Sequence, residues 1–125
     1  MINDNVGSST LGEWPESLDA LTAAPDHHAV LLENDRVRVL DTRIGPGQRT
    51  SVHTHAWPSV LYVLGWSNFI RFDGDGNMVL DSRTLASRPE KGTALWSPIL
   101  GPHFVRNVGN EELRVIAVEL KSPRA

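Results

Sequence analysis

His53-Thr54-His55, answered far downstream by Pro98-Ile99-Leu100-Gly101-Pro102-His103, is the stretch on which the reading of this chain turns. Side chains alternate along a β-strand, so two histidines one residue apart share a face. Imidazole is the commonest metal-ligating side chain and binds through either ring nitrogen. A third histidine from a neighbouring strand would close that face around a metal.

The surrounding sequence is almost wholly β from His28 onward. Ala29–Leu32 and Val37–Ile44 are short apolar or alternating runs separated by the turn Glu33-Asn34-Asp35. Gly45-Pro46-Gly47 precedes the histidine strand, and Ala56-Trp57-Pro58 leads into Val60–Leu64. Phe69–Phe72 and Met78–Leu85 flank Asp73-Gly74-Asp75-Gly76-Asn77, which reads as a hairpin loop. Strands are expected near Ala94–Trp96, Phe104–Arg106 and Leu113–Leu120, with a turn over Pro98–Pro102. Short, closely spaced strands punctuated by Gly and Pro indicate an antiparallel barrel or sandwich.

Residues 1–25 differ and read as an N-terminal arm, leaving 26–125 as the barrel domain. Thr10-Leu11-Gly12-Glu13 fits a capping box, and Trp14, Leu18 and Leu21 share one helical face. The spacing predicts a short amphipathic helix ending before Pro25.

Bulk properties exclude several classes. The 125 residues suit one domain, and 40% hydrophobic with 22% charged residues is ordinary globular composition. Net charge is −3, with no basic stripe for a nucleic acid. No apolar run of about 18 residues and no apolar leader point to a membrane or to export, so a cytoplasmic location is expected. Cysteine is absent, so thiolate ligands, thiol nucleophiles and disulfides are excluded.

The two histidine motifs resemble those of the cupin superfamily. The first is Gly47, five residues, His53-Thr54-His55, and a run through Ser59 and Val60 to Gly65. The second is Gly92, Pro98, Gly101, His103 and Asn107 at the family's intervals. The resemblance spans residues 28 to 120 and implies an all-β, double-stranded β-helix (jelly-roll) barrel with a short N-terminal helical or irregular segment. It also implies a divalent transition metal on His53, His55 and His103. Where the family carries a glutamate ligand, this chain has Ser59 or Val60, with Ser59 favoured by the alignment of Tyr62-Val63-Leu64. A neutral three-histidine site is therefore expected, suited to Fe, Zn or Ni rather than to oxygen-loving ions.

The resemblance further implies a metal-dependent, dioxygenase-like enzyme acting on a small anionic metabolite. The alternatives are a non-catalytic metal or small-ligand binder, and a degenerate barrel that lost its metal with its glutamate. Arg49 and Ser51 share parity with the histidines and are pocket candidates, as are Trp57, Ser59, Trp96 and Asn107; Arg49 is the candidate for an anionic group. Tyr62 has the opposite parity and is expected to point away. Glu119 is a candidate base or ligand partner if it faces inward. His27 and His28 read as surface or dimer-contact residues. A homodimer through edge strands and the N-terminal segment is expected.

Overall fold

The computed structural model describes residues 13–121. Nine strands follow a short helical segment: β1 (His28–Glu33), β2 (Val37–Ile44), β3 (His53–His55), β4 (Ser59–Gly65), β5 (Phe69–Asp73), β6 (Met78–Asp81), β7 (Ala94–Ser97), β8 (Leu100–Asn107) and β9 (Leu113–Leu120). They form two antiparallel sheets, ordered β1-β2-β9-β4-β7 and β3-β8-β5-β6. This is the jelly-roll architecture that the histidine motifs imply.

Alternation builds the interior. On β9, Leu113, Val115, Ala117 and Glu119 share one face while Arg114, Ile116 and Val118 share the other. Ile44, Val63, Trp66 and Leu113 are buried together, with Phe69 and Val105 of the four-stranded sheet packed against them. Leu40 and Val63 are wholly inaccessible, and burial of each such side chain is worth about 1.5–3 kcal/mol.

Two of the motif glycines sit where only glycine is comfortable. Gly47 (φ 77°) and Gly92 (φ 86°) each occupy the third position of a tight turn. Gln48 N–H donates to the Gly45 carbonyl at 3.0 Å, and Thr93 N–H donates to the Glu90 carbonyl at 3.0 Å. At the β5–β6 hairpin, Asp73 Oδ1 accepts from the backbone of Asp75 and Asn77, so its carboxylate shapes the turn as expected.

Three local expectations are corrected. Of the predicted N-terminal helix, Thr10 to Gly12 lie outside the described residues. The rest is a 3-10 turn (Glu16–Leu18) and a single helical turn, α1 (Ala20–Ala23), because Pro15 and Asp19 adopt extended ψ angles of 143° and 144°. Its buried positions are Ala20 and Ala24 rather than the Trp14/Leu18/Leu21 stripe. The strand expected over Met78–Leu85 ends at Asp81, whose carboxylate accepts from Arg83 N–H and caps a 3-10 turn (Ser82–Thr84). The turn expected over Pro98–Pro102 is shorter: β8 begins at Leu100, and Pro102 falls within the register shift between the His53–His103 and His55–Leu100 pairs.

The N-terminal segment is integral to the barrel end. Asp19 caps α1 through Leu21 N–H, bridges to Thr54, and binds Arg38 with both carboxylate oxygens at 2.9 and 3.1 Å. No described helix is long and apolar enough to cross a membrane.

Candidate metal centre

Four histidines converge at one end of the barrel. β3 brings His53 and His55, and the register places His53 directly opposite His103 of β8. Their rings stand 4.4 Å apart, and His55 lies 5.4 Å from His103. The fourth is His28, the first residue of β1, with its ring 4.8 Å from His53 and 5.6 Å from His55. His28, His53 and His55 offer ligand atoms that all lie within 4.8 Å of one another, a group able to hold a metal ion.

The surface or dimer-contact reading of His28 is therefore corrected. Adjacent strand residues face opposite sides, so one of His27 and His28 had to turn inward; His28 does so and is 6% exposed.

The hydrogen bonds fix which nitrogen is free. Nδ1 lies 2.9 Å from the Ala24 carbonyl in His28, 2.8 Å from the Ser51 carbonyl in His53, and 2.7 Å from the Gly101 carbonyl in His103. A carbonyl oxygen only accepts, so each Nδ1 carries the proton and each Nε2 keeps its lone pair. In His55 the partner is a carboxylate, Glu119 Oε2, at 3.1 Å. Metal-bound histidines are held in this way, with the second nitrogen donating to a carbonyl or carboxylate.

Burial keeps the rings of His28, His53 and His103 neutral. Desolvation pushes His53 from 6.5 down to about 2, helped by the neighbouring His103 and His55. It pushes His28 and His103 down to about 4, partly offset by their bonds to Ala24 and Gly101. Neutral imidazole is the ligating form.

Behind His55 runs a buried ionic chain. Glu119 is 1% exposed, and its Oε1 accepts from Arg38 Nε at 2.7 Å. Arg38 continues the chain to Asp19. Burial alone would lower the Arg38 pKa, but its bonds to Asp19 and Glu119 raise it above the ordinary value. Glu119 thus faces inward as the partner of His55.

A cavity of about 370 Å³ extends from the histidines into the barrel, lined largely by apolar side chains such as Leu61, Trp66, Phe69, Leu95 and Val115. Ser59 lines it and is buried, and Trp96 lines it at the rim, 61% exposed. Four other pocket candidates are corrected. Arg49 is exposed, its guanidinium 4.2 Å above the Phe104 ring on the outer side of β8. Ser51 is exposed and Thr50 lines the cavity instead, because regular strand begins only at His53 and parity does not extend back through 51. Trp57 does not line the cavity and packs beneath Arg38 and Lys121 at 5.1 and 5.5 Å. Asn107 is consumed by structure: its amide donates to the Ile44 and Glu111 carbonyls, and its oxygen accepts from Ser67 and Gly109. Tyr62 is 45% exposed and outside the cavity, as its parity indicates.

Sequence reasoning did not single out Arg71, which lines the cavity. Its alternation with Phe69 on β5 was the available signal.

No protein-family model matches the sequence, and no curated protein does so. Solved structures do. A cupin domain from Bordetella pertussis Tohama I superposes with a TM-score of 0.62 at 24% identity, covering 76% of this chain and 92% of that one. An RmlC-like cupin family protein from Methanocaldococcus jannaschii gives 0.52 at 13% identity, covering 78% and 83%. The polyketide cyclase RemF from Streptomyces resistomycificus gives 0.51 at 19% identity, covering 82% and 70%. With its two antiparallel sheets and its histidines gathered at one barrel end, the chain has the cupin double-stranded β-helix fold.

Proposed function

We propose that the chain binds one divalent transition metal through Nε2 of His28, His53, His55 and His103, and acts as a metal-dependent enzyme on a small anionic metabolite. The observation that carries this reading is the uniform tautomer: four Nδ1 atoms are tied to carbonyl or carboxylate oxygens, leaving four Nε2 lone pairs in one cluster of rings, those of His28, His53 and His103 buried and that of His55 half-buried. The donor set is all nitrogen and suits Fe, Zn or Ni.

Catalytic machinery besides a metal is sparse. Among the described residues no aspartate or glutamate lines the cavity, and Glu119 is committed to Arg38 and His55. A bound metal would supply Lewis acidity or, as iron, the redox couple that a dioxygenase-like reaction needs. The protein's own part is to orient the ligands, exclude water and hold an organic substrate in an apolar chamber. The likeness to a polyketide cyclase favours a second, non-oxidative reading, in which a metal held by these histidines would supply Lewis acidity for a ring closure.

Metal analysis of protein purified without a nickel column tests the site: about one metal per chain is expected, and none in the His53→Ala/His103→Ala variant. A wild-type protein that stays metal-free after exposure to iron, zinc and nickel leaves the degenerate barrel as the correct reading. Oxygen consumption by the iron-loaded protein, assayed with thiols, diketones and keto acids, separates the reactions; a flat response rejects the dioxygenase.

We further propose a homodimer. β1 is an edge strand on which Val30, Leu31 and Leu32 are 43%, 58% and 51% exposed, and an apolar strand edge is a template for pairing.

A further inference from the structure

We propose that Arg71 anchors the carboxylate of a largely apolar monocarboxylic acid inside the barrel. The inference deepens the reading above by naming the substrate class, and it rests on that reading only for what is done to the ligand, since the binding itself needs no metal.

Arg71 sits on β5 between two sheet neighbours, opposite Val105 of β8 and Leu80 of β6. Both neighbours line the cavity, and so does Arg71. Among the described residues its guanidinium makes no hydrogen bond and no ion pair, whereas Arg38, Arg43, Arg83 and Arg114 all hold carboxylates. Burial is the sole cause shifting its pKa, downward from 12.5. A guanidinium remains charged under all protein conditions and presents five donors in a planar fork. A desolvated charge without a partner is costly to keep, and an anionic ligand would relieve that cost.

The surroundings specify the anion. No acidic side chain among the described residues lines the chamber, so none of them competes for the fork. Among the described residues Arg71 is the only lysine or arginine lining it, which matches one negative charge and a planar, bidentate acceptor better than a phosphate dianion. The rest of the wall is mainly aliphatic and aromatic, which calls for an apolar body. The register also sets the direction of the ligand. Val105, the cross-strand partner of Arg71, lies two residues from His103 on the same face, and such diagonal neighbours stand about 7–8 Å apart. A carboxylate on Arg71 therefore leaves the adjoining carbons facing the histidines.

Calorimetric titration of the chelator-treated full chain with phenylacetate, and with its neutral isostere phenylacetamide, tests this. Phenylacetate is expected to bind wild type more tightly than the amide. Arg71→Met should weaken phenylacetate by about tenfold or more while leaving the amide unchanged. Arg71→Lys should retain part of the preference, which guards against a folding defect in the first variant. Arg71→Met should also melt no lower than wild type and keep its zinc stoichiometry. Equal affinity for acid and amide, no binding of the acid, or undiminished acid binding in Arg71→Met overturns the proposal. Loss of zinc binding with the acid preference intact would reject the metal reading alone.

Discussion

Glu119 lies directly across the β4–β9 ladder from Ser59, the one of Ser59 and Val60 that the motif alignment favours as the place of the cupin glutamate. Both are buried, at 1% and 6% exposure. The carboxylate missing from β4 has a counterpart on the adjacent strand, where it reaches His55 Nδ1 rather than the cavity. It holds the His55 ring without joining the lining.

Replacing Glu119 by Gln preserves the shape but removes the charge that polarises His55. Zinc affinity, measured by competition with a chromophoric chelator, is expected to fall 10–100-fold. An unchanged affinity would mean that His55 does not ligate.

His28 distinguishes a four-histidine centre from the three-histidine set of His53, His55 and His103. In His28→Ala, zinc should still bind in the same competition assay but at least about tenfold more weakly. Wild-type affinity would return His28 to a packing role.

Acid should destabilise the metal-free protein well above the carboxylate range. His28, His53 and His103 have folded pKa values depressed to about 4, 2 and 4 from 6.5. Their contribution is complete above pH 6.5 and drains as pH falls towards 4, because the unfolded chain takes up protons that the folded chain refuses. Each histidine adds a slope of about 1.4 kcal/mol per pH unit in that window. Asp19 and Asp41 are also depressed, but from 3.8, so they act only below it. Thermal melts of chelated protein between pH 7 and 5 should fall steeply; a flat profile contradicts the buried neutral cluster.

The Asp19–Arg38 pair ties the N-terminal segment to the histidine cluster through Glu119. Asp19→Ala removes an N-cap and two bonds to a guanidinium that is 7% exposed, and should cost about 2–4 kcal/mol in urea unfolding. A change below about 0.5 kcal/mol, the level of a surface substitution, would show the pair to be idle.

The dimer is checked by light scattering on Leu31→Lys, which places a charge on the β1 edge. A wild-type dimer should become a monomer at equal concentration, and an unaltered mass would remove β1 from the interface.

Much was legible in the residues. Val37–Ile44 and Leu113–Leu120 form strands with the expected bounds because alternation and turn residues are local properties. The convergence of His53, His55 and His103 followed from motif spacing, and the outward course of Tyr62 from parity. Parity failed at Ser51, where no regular strand carries it. It was silent on Trp57, whose place beneath Arg38 depends on a strand distant in sequence.

By itself, the sequence determined an antiparallel barrel or sandwich and the shared face of His53 and His55, since each depends on residue type and short-range periodicity, and its resemblance to the cupin motifs added His103. Only the tertiary structure decided that His28 joins them, that Glu119 stands behind His55, and that Arg71 rather than Arg49 enters the cavity. Those outcomes depend on which strands pair and in what register. Cross-strand pairing brings together residues as far apart as Arg38 and Glu119, and no local pattern along the chain encodes that meeting.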